Sequence, residues 1–405
     1  MLKCGLLGEK LGHSYSPQIH SLLGNYEYRL YEKSPSEIED FLKNGEWEGL
    51  NVTIPYKKAV IPFCSRCSDA VRKTGSANTL KKMPDGSIYA DNTDVYGFSS
   101  LLDKNGIDPA GSKALILGNG GACVSVKAVL EERGAEVVVI SRRGENNYEN
   151  LFLNRDARLI VNTTPVGMFP NNGKAPVNPE MFEECTAVLD IIYNPRHTAL
   201  TMKAQELGMK NDTGLHMLAA QAIKSSQVFT GTEIPEKRIF EIENILLHQM
   251  QNIILIGMPG SGKTTIASKL AQQTQRPVMD LDEEFERINN CSPEEFIIKY
   301  GEEAFRIQET KVIEEAGKLS GYIISTGGGC VTRPENYPCL HQNGVIVWIE
   351  RDIDKLPDDG RPVSKKTGIR ALYQQRKPLY ERFADISVEN NDPSEAAGKI
   401  LDFIS

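Results

Sequence analysis

Hydrophobic positions fall along this chain in short dense runs separated by amphipathic stretches, and three times the pattern is that of a strand followed by a helix. Lys3–Leu7 has the apolar density of a buried strand, and Gly49–Ile54 reads as another. Lys113–Leu117 runs straight into GNGGA (118–122). A helix is expected from about Cys123 to Arg133, and Glu136–Ile140 follows as the next strand of a βαβ unit. Asn252–Ile256 runs in the same way into GMPGSGKTT. Such alternation predicts parallel sheets with crossover helices, an α/β fold class. Asp103–Ser112 (DKNGIDPAGS) is polar and turn-rich and separates the first two units. Between Pro235 and Gln251 the apolar positions Ile239, Ile242, Ile245 and Leu246 keep helical spacing, so the last joint is a helix leading into a strand.

Composition narrows the possibilities. At 405 residues the chain is long enough for two or three domains. Hydrophobic residues at 40% and charged residues at 25% exclude wholesale disorder. A net charge of −8 argues against nucleic-acid partners. The apolar runs are too short to span a bilayer, so no membrane partner is expected. Eight scattered cysteines form no disulfide framework and point to reduced thiols in the cytoplasm. Cys64 and Cys67 are expected to fill core space in a helix, without metal or redox chemistry. Trp47 and Trp348 are expected core anchors, and His216 a packing residue beside a pocket.

GMPGSGKT (257–264) fits the phosphate-binding pattern G-x-x-x-x-G-K-[ST] in the required strand-to-helix context. The loop residues Gly260, Ser261, Gly262 and Thr265 would present backbone amides to phosphate oxygens. Lys263 would reach the β- and γ-phosphates of ATP, and the Thr264 hydroxyl would join a Mg2+ shell. Asp280 and Asp282, in VMDLDEEFE, are placed on one side of a strand by its period of two. GEEAFR (301–306), STGGGCV (325–331), GRP (360–362) and QRKPLYE (375–381) follow in order. This ordered set resembles shikimate kinase over residues 252–405. The resemblance implies a P-loop kinase domain with a parallel five-stranded sheet. It implies that Asp282 holds the 3-hydroxyl of shikimate and accepts its proton, while Asp280 orients Mg2+ through water. Arg306 and Arg376 would grip the substrate carboxylate, the amides of Gly328 and Gly329 would contact ring hydroxyls, and Arg361 would be the lid arginine. The segment leading to Gly360 is shorter than the family's usual approach to the lid. By the same resemblance Asn391 and Pro393 would belong to the adenine loop, but no adenine contact is assigned.

GNGGA is a variant of the dinucleotide fingerprint, in which Gly118, Asn119, Gly120, Gly121 and Ala122 would wrap pyrophosphate. The next strand ends in SRRG (141–144), where Ser141, Arg142 and Arg143 stand instead of an acid and favour the 2′-phosphate of NADP. GHSYSPQIH (12–20), NVTIPYK (51–57), GSANTL (75–80) and DNTDVYGF (91–98) come before this unit. NTTPVGM (162–168), DIIYNP (190–195) and GLHMLAAQA (214–222) come after it. Together they resemble shikimate dehydrogenase over residues 1–248. The resemblance implies that Ser14 and Ser16 bind the substrate carboxylate and that Asn51, Thr53, Asn78 and Asp94 bind ring hydroxyls. Tyr193, Gly214 and Gln221 would close the pocket, and Lys57, paired with Asp94, would be the catalytic group. Ketone reduction needs positive charge and a proton at the developing alkoxide, which an ammonium beside a carboxylate supplies. Family members often carry a further arginine downstream of Arg143; this chain has GENNYEN there.

The expectation is a bifunctional cytoplasmic enzyme whose partners are small molecules. Residues 1–105, completed by helices at about 215–248, would bind substrate, and 106–214 would form a Rossmann-like NADP domain. Residues 250–405 would form the kinase. The first half would reduce 3-dehydroshikimate and the second would phosphorylate shikimate. The rival readings are a non-catalytic sensor of shikimate-type ligands, which would have lost Lys57, Asp94, Lys263, Asp282 and Arg361, and a first half that prefers quinate.

Overall fold

The computed structural model describes every residue except His13, Asn25, 357–367 and Ser405. Its chain divides into two compact units. The N-terminal unit comprises Met1–Met168, Lys174–Tyr193 and Leu200–Ile245; the C-terminal unit comprises Phe169–Gly173, Asn194–Ala199 and Leu246–Ser405. The division falls inside the helix Lys237–Met250.

The N-terminal unit holds two sheets. The first is built from β1 (Lys3–Gly8), β2 (Glu27–Glu32), β3 (Gly49–Val52), β4 (Arg66–Cys67), β5 (Thr79–Lys82) and β6 (Ile88–Asp91), in the order β2-β1-β3-β5-β6-β4. It is mixed, because β5 runs antiparallel to β3 and β6. The second is wholly parallel: β7 (Lys113–Leu117), β8 (Glu136–Ile140), β9 (Leu159–Asn162), β10 (Ala187–Asp190) and β11 (Lys210–Thr213), ordered β11-β10-β9-β7-β8. Its inner strands β7 and β9 are apolar runs because both faces are covered: Ile116 and Val161 face one core layer, and Leu115 and Ile160 face the other.

The C-terminal unit has the expected five-stranded parallel sheet, with β12 (Asn252–Ile256), β13 (Val278–Asp280), β14 (Ile323–Ser325), β15 (Gly344–Glu350) and β16 (Ile386–Glu389) in the order β13-β14-β12-β15-β16. The strand order reverses at β7 in one sheet and at β12 in the other, and a crevice opens beyond the carboxyl end of a strand at such a point. The glycine-rich segments that follow β7 and β12 therefore lie where ligands bind in open parallel sheets.

Two local expectations do not hold. Cys64 and Cys67 are not in a helix: Cys64 follows the 3-10 turn Ile61–Phe63, and Cys67 belongs to β4. All eight cysteines are free. Asp280 and Asp282 are not two positions of one strand either. β13 stops at Asp280, which caps the helix Leu281–Asn289 by accepting the Asp282 amide at 3.0 Å. A carboxylate at the N-cap satisfies an orphan helix amide, which ends the strand there.

His20 shows how completely the first sheet is enclosed. It is 1% exposed, lies flat on Tyr28 with ring centroids 4.0 Å apart, and shares a 2.6 Å hydrogen bond with Tyr26. Burial lowers its pKa to about 3, against a smaller pull from Asn51. Between that value and the ordinary 6.5 the unfolded chain binds a proton that the folded chain excludes. The stabilisation by neutral His20 is thus complete above about pH 6.5 and lost as the pH falls toward 3, by up to ~1.4 kcal/mol per pH unit. The urea midpoint of the N-terminal unit should fall between pH 7 and pH 5, and less steeply in His20→Asn. Parallel slopes in the two proteins would assign the acid sensitivity to other groups.

Candidate active sites

The carboxyl ends of the two N-terminal sheets enclose a cavity of about 250 Å3. Ser14, Ser16, Asn51, Thr53, Lys57, Asn78, Asp94, Ala122, Tyr193, Gly214 and Gln221 all line it. Lys57 lies in a turn after β3, and Asp94 opens the helix Thr93–Lys104. Their side chains meet at 2.6 Å, Lys57 Nζ donating to Asp94 Oδ2. The Asn78 amide donates to the other Asp94 oxygen at 2.8 Å. Both carboxylate oxygens are thus bonded, which fixes the ammonium at one point of the wall. Tyr193 packs edge-on against Tyr15 with centroids 5.9 Å apart, and burial pushes its phenol pKa upward. A Cβ at Gly214 would lie 2.0 Å from the Ile191 carbonyl oxygen, so only glycine lets the chain close the pocket there.

Behind this wall lies Ser225, which no sequence motif marked. Ser225 Oγ, on the helix Leu215–Thr230, accepts from Asn51 Nδ2 at 2.8 Å and donates to the Gln221 carbonyl at 2.9 Å. It also lies 2.9 Å from Thr79 Oγ1 and 3.0 Å from Thr93 Oγ1. Tyr28 donates to Asn51 Oδ1 at 2.8 Å. The Asn51 amide is therefore held at both ends.

Beyond β7, Gly118 has φ +100°, a conformation open to glycine, and the helix Gly121–Glu132 begins three residues later. No heavy atom lies within 4 Å of a Cβ built at Gly120 or Gly121, which leaves these amides room to approach pyrophosphate. Asn119 and Gly120 are exposed. Ser141 is buried at the end of β8, and Arg142 and Arg143 are exposed in the turn that follows. The residues fit a dinucleotide carrying a 2′-phosphate.

The C-terminal unit carries two adjoining cavities. One, of about 300 Å3, is lined by Gly260, Gly262, Lys263, Thr264, Thr265, Asp280, Asp282, Gly328 and Arg351, among others. Gly262 has φ +95° and starts the helix Lys263–Thr274, whose N-terminus faces the cavity floor. Lys263 Nζ donates to the carbonyls of Gly257 and Met258 at 2.9 and 3.0 Å. Thr264 Oγ1 donates to Asp280 Oδ2 at 3.3 Å, a pair of hard oxygens that suits Mg2+ beside phosphate. Ser261 is 1% exposed, and its carbonyl accepts Asn390 Nδ2 at 2.7 Å.

The second cavity, of about 280 Å3, is lined by Asp282, Arg306, Glu309, Gly328, Gly329 and Arg376, among others. Arg306 lies against Gly329, where a Cβ would stand 2.1 Å from the guanidinium, and donates to Glu309 at 2.7 Å. Burial opposes its charge, yet Glu309 and Glu302 hold the Arg306 pKa above its ordinary value. Burial raises Glu309 above the usual carboxylate range, against the pull of Arg306. Asp282 and Gly328 line both cavities. An acceptor in one pocket and a phosphate in the other would meet at Asp282.

Arg361 lies outside the described residues. Among the adenine-side positions, Asn391 is exposed, and its neighbour Asn390 is the side chain that reaches the phosphate loop. Arg351, Glu309, Asn390 and Ser225 were not marked in the sequence. Among the described residues, no cluster of three or more His, Cys, Asp or Glu side chains could hold a metal ion, and no helix is long and apolar enough to cross a membrane.

Comparison with known proteins accords with this geometry. The family model for the shikimate dehydrogenase substrate binding domain matches residues 6–80, and that for shikimate kinase matches residues 259–405. A shikimate dehydrogenase (NADP(+)) of Clostridium beijerinckii is 33% identical over 254 residues, covering 58% of this chain and 93% of the relative. One from Oleidesulfovibrio alaskensis is 36% identical over 257 residues, covering 57% and 90%. Among solved structures, a chorismate mutase/shikimate 5-dehydrogenase fusion protein from Clostridium acetobutylicum superposes with a TM-score of 0.58 at 35% identity, over 60% of this chain and 97% of that one. The Thermus thermophilus shikimate 5-dehydrogenase, solved in complex with NADP(H) and shikimate, gives 0.55 at 30% identity, over 60% and 99%. The chain belongs to the shikimate dehydrogenase family and carries a shikimate kinase domain in the same polypeptide, which makes it a bifunctional shikimate-pathway enzyme.

Proposed function

We propose that the N-terminal unit reduces the keto group of 3-dehydroshikimate and that the C-terminal unit phosphorylates the resulting hydroxyl compound, shikimate, at its 3-position. One observation carries each half: the Lys57–Asp94 pair in a pocket beside a dinucleotide turn, and the sharing of Asp282 between two cavities. NADPH supplies the hydride. Lys57 gives a proton to the oxygen that gains negative charge, and Asp94 holds the ammonium in place. Ser14 and Ser16 take the carboxylate, and Asn51, Thr53, Asn78 and Asp94 take ring hydroxyls, with Tyr193, Gly214 and Gln221 closing the pocket.

In the second half, MgATP supplies the phosphoryl group. Asp282 orients the acceptor hydroxyl and accepts its proton, while Arg306 and Arg376 hold the carboxylate. Lys263 and the amides of the phosphate loop neutralise charge on the transferred group, and Thr264 and Asp280 hold Mg2+. The three-domain division at about residues 105, 214 and 250 remains the proposed organisation. The eight free cysteines support a cytoplasmic setting, with small molecules as the partners.

The test is one cuvette with purified chain, 3-dehydroshikimate and NADPH, then MgATP. Absorbance should fall in the first step and ADP should appear only in the second. No fall in absorbance in the first step, or no ADP release beyond a control lacking 3-dehydroshikimate in the second, would refute the assignment. Cofactor choice is tested separately. Arg142→Ala with Arg143→Ala should raise the KM for NADPH at least tenfold and leave that for NADH nearly unchanged, since only NADPH offers a phosphate to the guanidiniums. Equal effects on both would make the arginines ordinary surface charge.

A further inference from the structure

Tyr380 lies on the helix Ile369–Phe383, four residues beyond Arg376, and none of its side chain reaches solvent. Its ring stacks on Trp348 of β15, with centroids 5.7 Å apart. Its hydroxyl donates to the carbonyl of Gly328. Arg376 Nη1 donates to the same carbonyl at 2.9 Å. A carbonyl oxygen has two lone pairs, and here the two donors occupy both. The opposite side of Gly328 is closed by the phosphate loop, because a Cβ there would stand 2.6 Å from the Pro259 ring. The Tyr380 hydroxyl also lies 3.8 Å from Met258 Sδ. A single buried phenol thus fixes the one peptide against which the acid-binding arginine rests.

We propose that Tyr380 is a positioning residue for the acid substrate of the kinase: by holding the Gly328 carbonyl turned inward, it sets the direction from which Arg376 approaches the substrate carboxylate. The inference rests on the reading of the C-terminal unit as a shikimate kinase, and extends it to a residue outside both cavities. Without the hydroxyl, one lone pair of Gly328 is left unfilled in a buried place, and Arg376 becomes the sole anchor of the peptide. The guanidinium then serves the carbonyl at the expense of the carboxylate. Lys263, Thr264 and the phosphate-loop amides bind nucleotide through other atoms and should not sense the loss.

Tyr380→Phe keeps the ring and the Trp348 stack and removes only the hydroxyl. In the full-length chain, the KM for shikimate should rise about tenfold. The KM for ATP, the Kd for MgADP and kcat should stay within about a factor of three. An unchanged KM for shikimate would overturn the proposal. So would a parallel loss of MgADP binding, since the tyrosine would then be a general support of the unit. A wild-type chain that binds MgADP but does not phosphorylate shikimate would overturn the kinase reading itself. A wild type active on shikimate beside an unaltered Tyr380→Phe variant would overturn the role of Tyr380 alone.

Discussion

Lys57→Ala should cut NADPH oxidation with 3-dehydroshikimate at least about a thousandfold, while shikimate phosphorylation by the same protein stays within twofold of wild type. The magnitude combines the typical ~10²–10⁴ of a positioned proton donor with the charge stabilisation that the ammonium gives a developing alkoxide. The Lys57 ammonium stands 2.6 Å from Asp94, whose other oxygen is engaged by Asn78, so the carboxylate that orients the ammonium is itself fixed. Lys57→Arg should recover little, because a planar fork cannot hold the same point in the pocket as a compact ammonium. Removing the lysine leaves Asp94, 8% exposed, with one neutral partner, and some loss of stability in the N-terminal unit should accompany the loss of rate. Initial rates of both reactions on one preparation provide the check. Residual reduction above a tenth of wild type would remove Lys57 from the chemistry.

Arg306→Ala is the second large effect, and it should appear in stability as well as in activity. Arg306 and Glu309 are 8% and 5% exposed and bonded at 2.7 Å. Taking away the guanidinium leaves a carboxylate in a closed site, and breaking such a pair costs about 3–5 kcal/mol. Part of that cost is avoided if Glu309 takes up a proton, to which its raised pKa already inclines it. Unfolding of the C-terminal unit should therefore shift to lower denaturant concentration, and more so at pH 8 than at pH 5. Shikimate phosphorylation should become unmeasurable. Arg306→Lys should retain most of the stability yet raise the KM for shikimate, since charge survives and the two-pronged grip does not. If Arg306→Ala unfolded at the wild-type denaturant concentration and kept its KM, the pair would be neither structural support nor substrate clamp.

These residues differ in how plainly the sequence announced them. Lys263 and Thr264 were legible because a buried strand, a glycine turn and a helix start are contiguous, and local pattern determines all three. The same holds for Gly118 to Ala122. The two aspartates were legible as residues and misread as geometry: a strand period was extended two positions past the point where Asp280 had already become a helix cap. Cys64 and Cys67 were misplaced because a two-residue edge strand leaves almost no periodic trace. Ser225 and Asn390 could not be found by local pattern at all. Their partners lie 174 and 129 residues away in the chain, and what unites them is the order of strands in a sheet.

That long reach has a consequence during synthesis. The floor beneath Asn51, Thr79 and Thr93 is the helix Leu215–Thr230, and Thr79 precedes its partner Ser225 by 146 residues. At about 5–20 residues per second, the ribosome needs roughly 7–30 s to deliver that helix after the pocket's own strands have emerged. Through that interval the β3–β5 centre of the first sheet lacks the Ser225 hydroxyl that Asn51, Thr79 and Thr93 share in the finished fold. The nascent first domain is thus a half-built vessel that waits for the whole dinucleotide domain to be made before its base arrives.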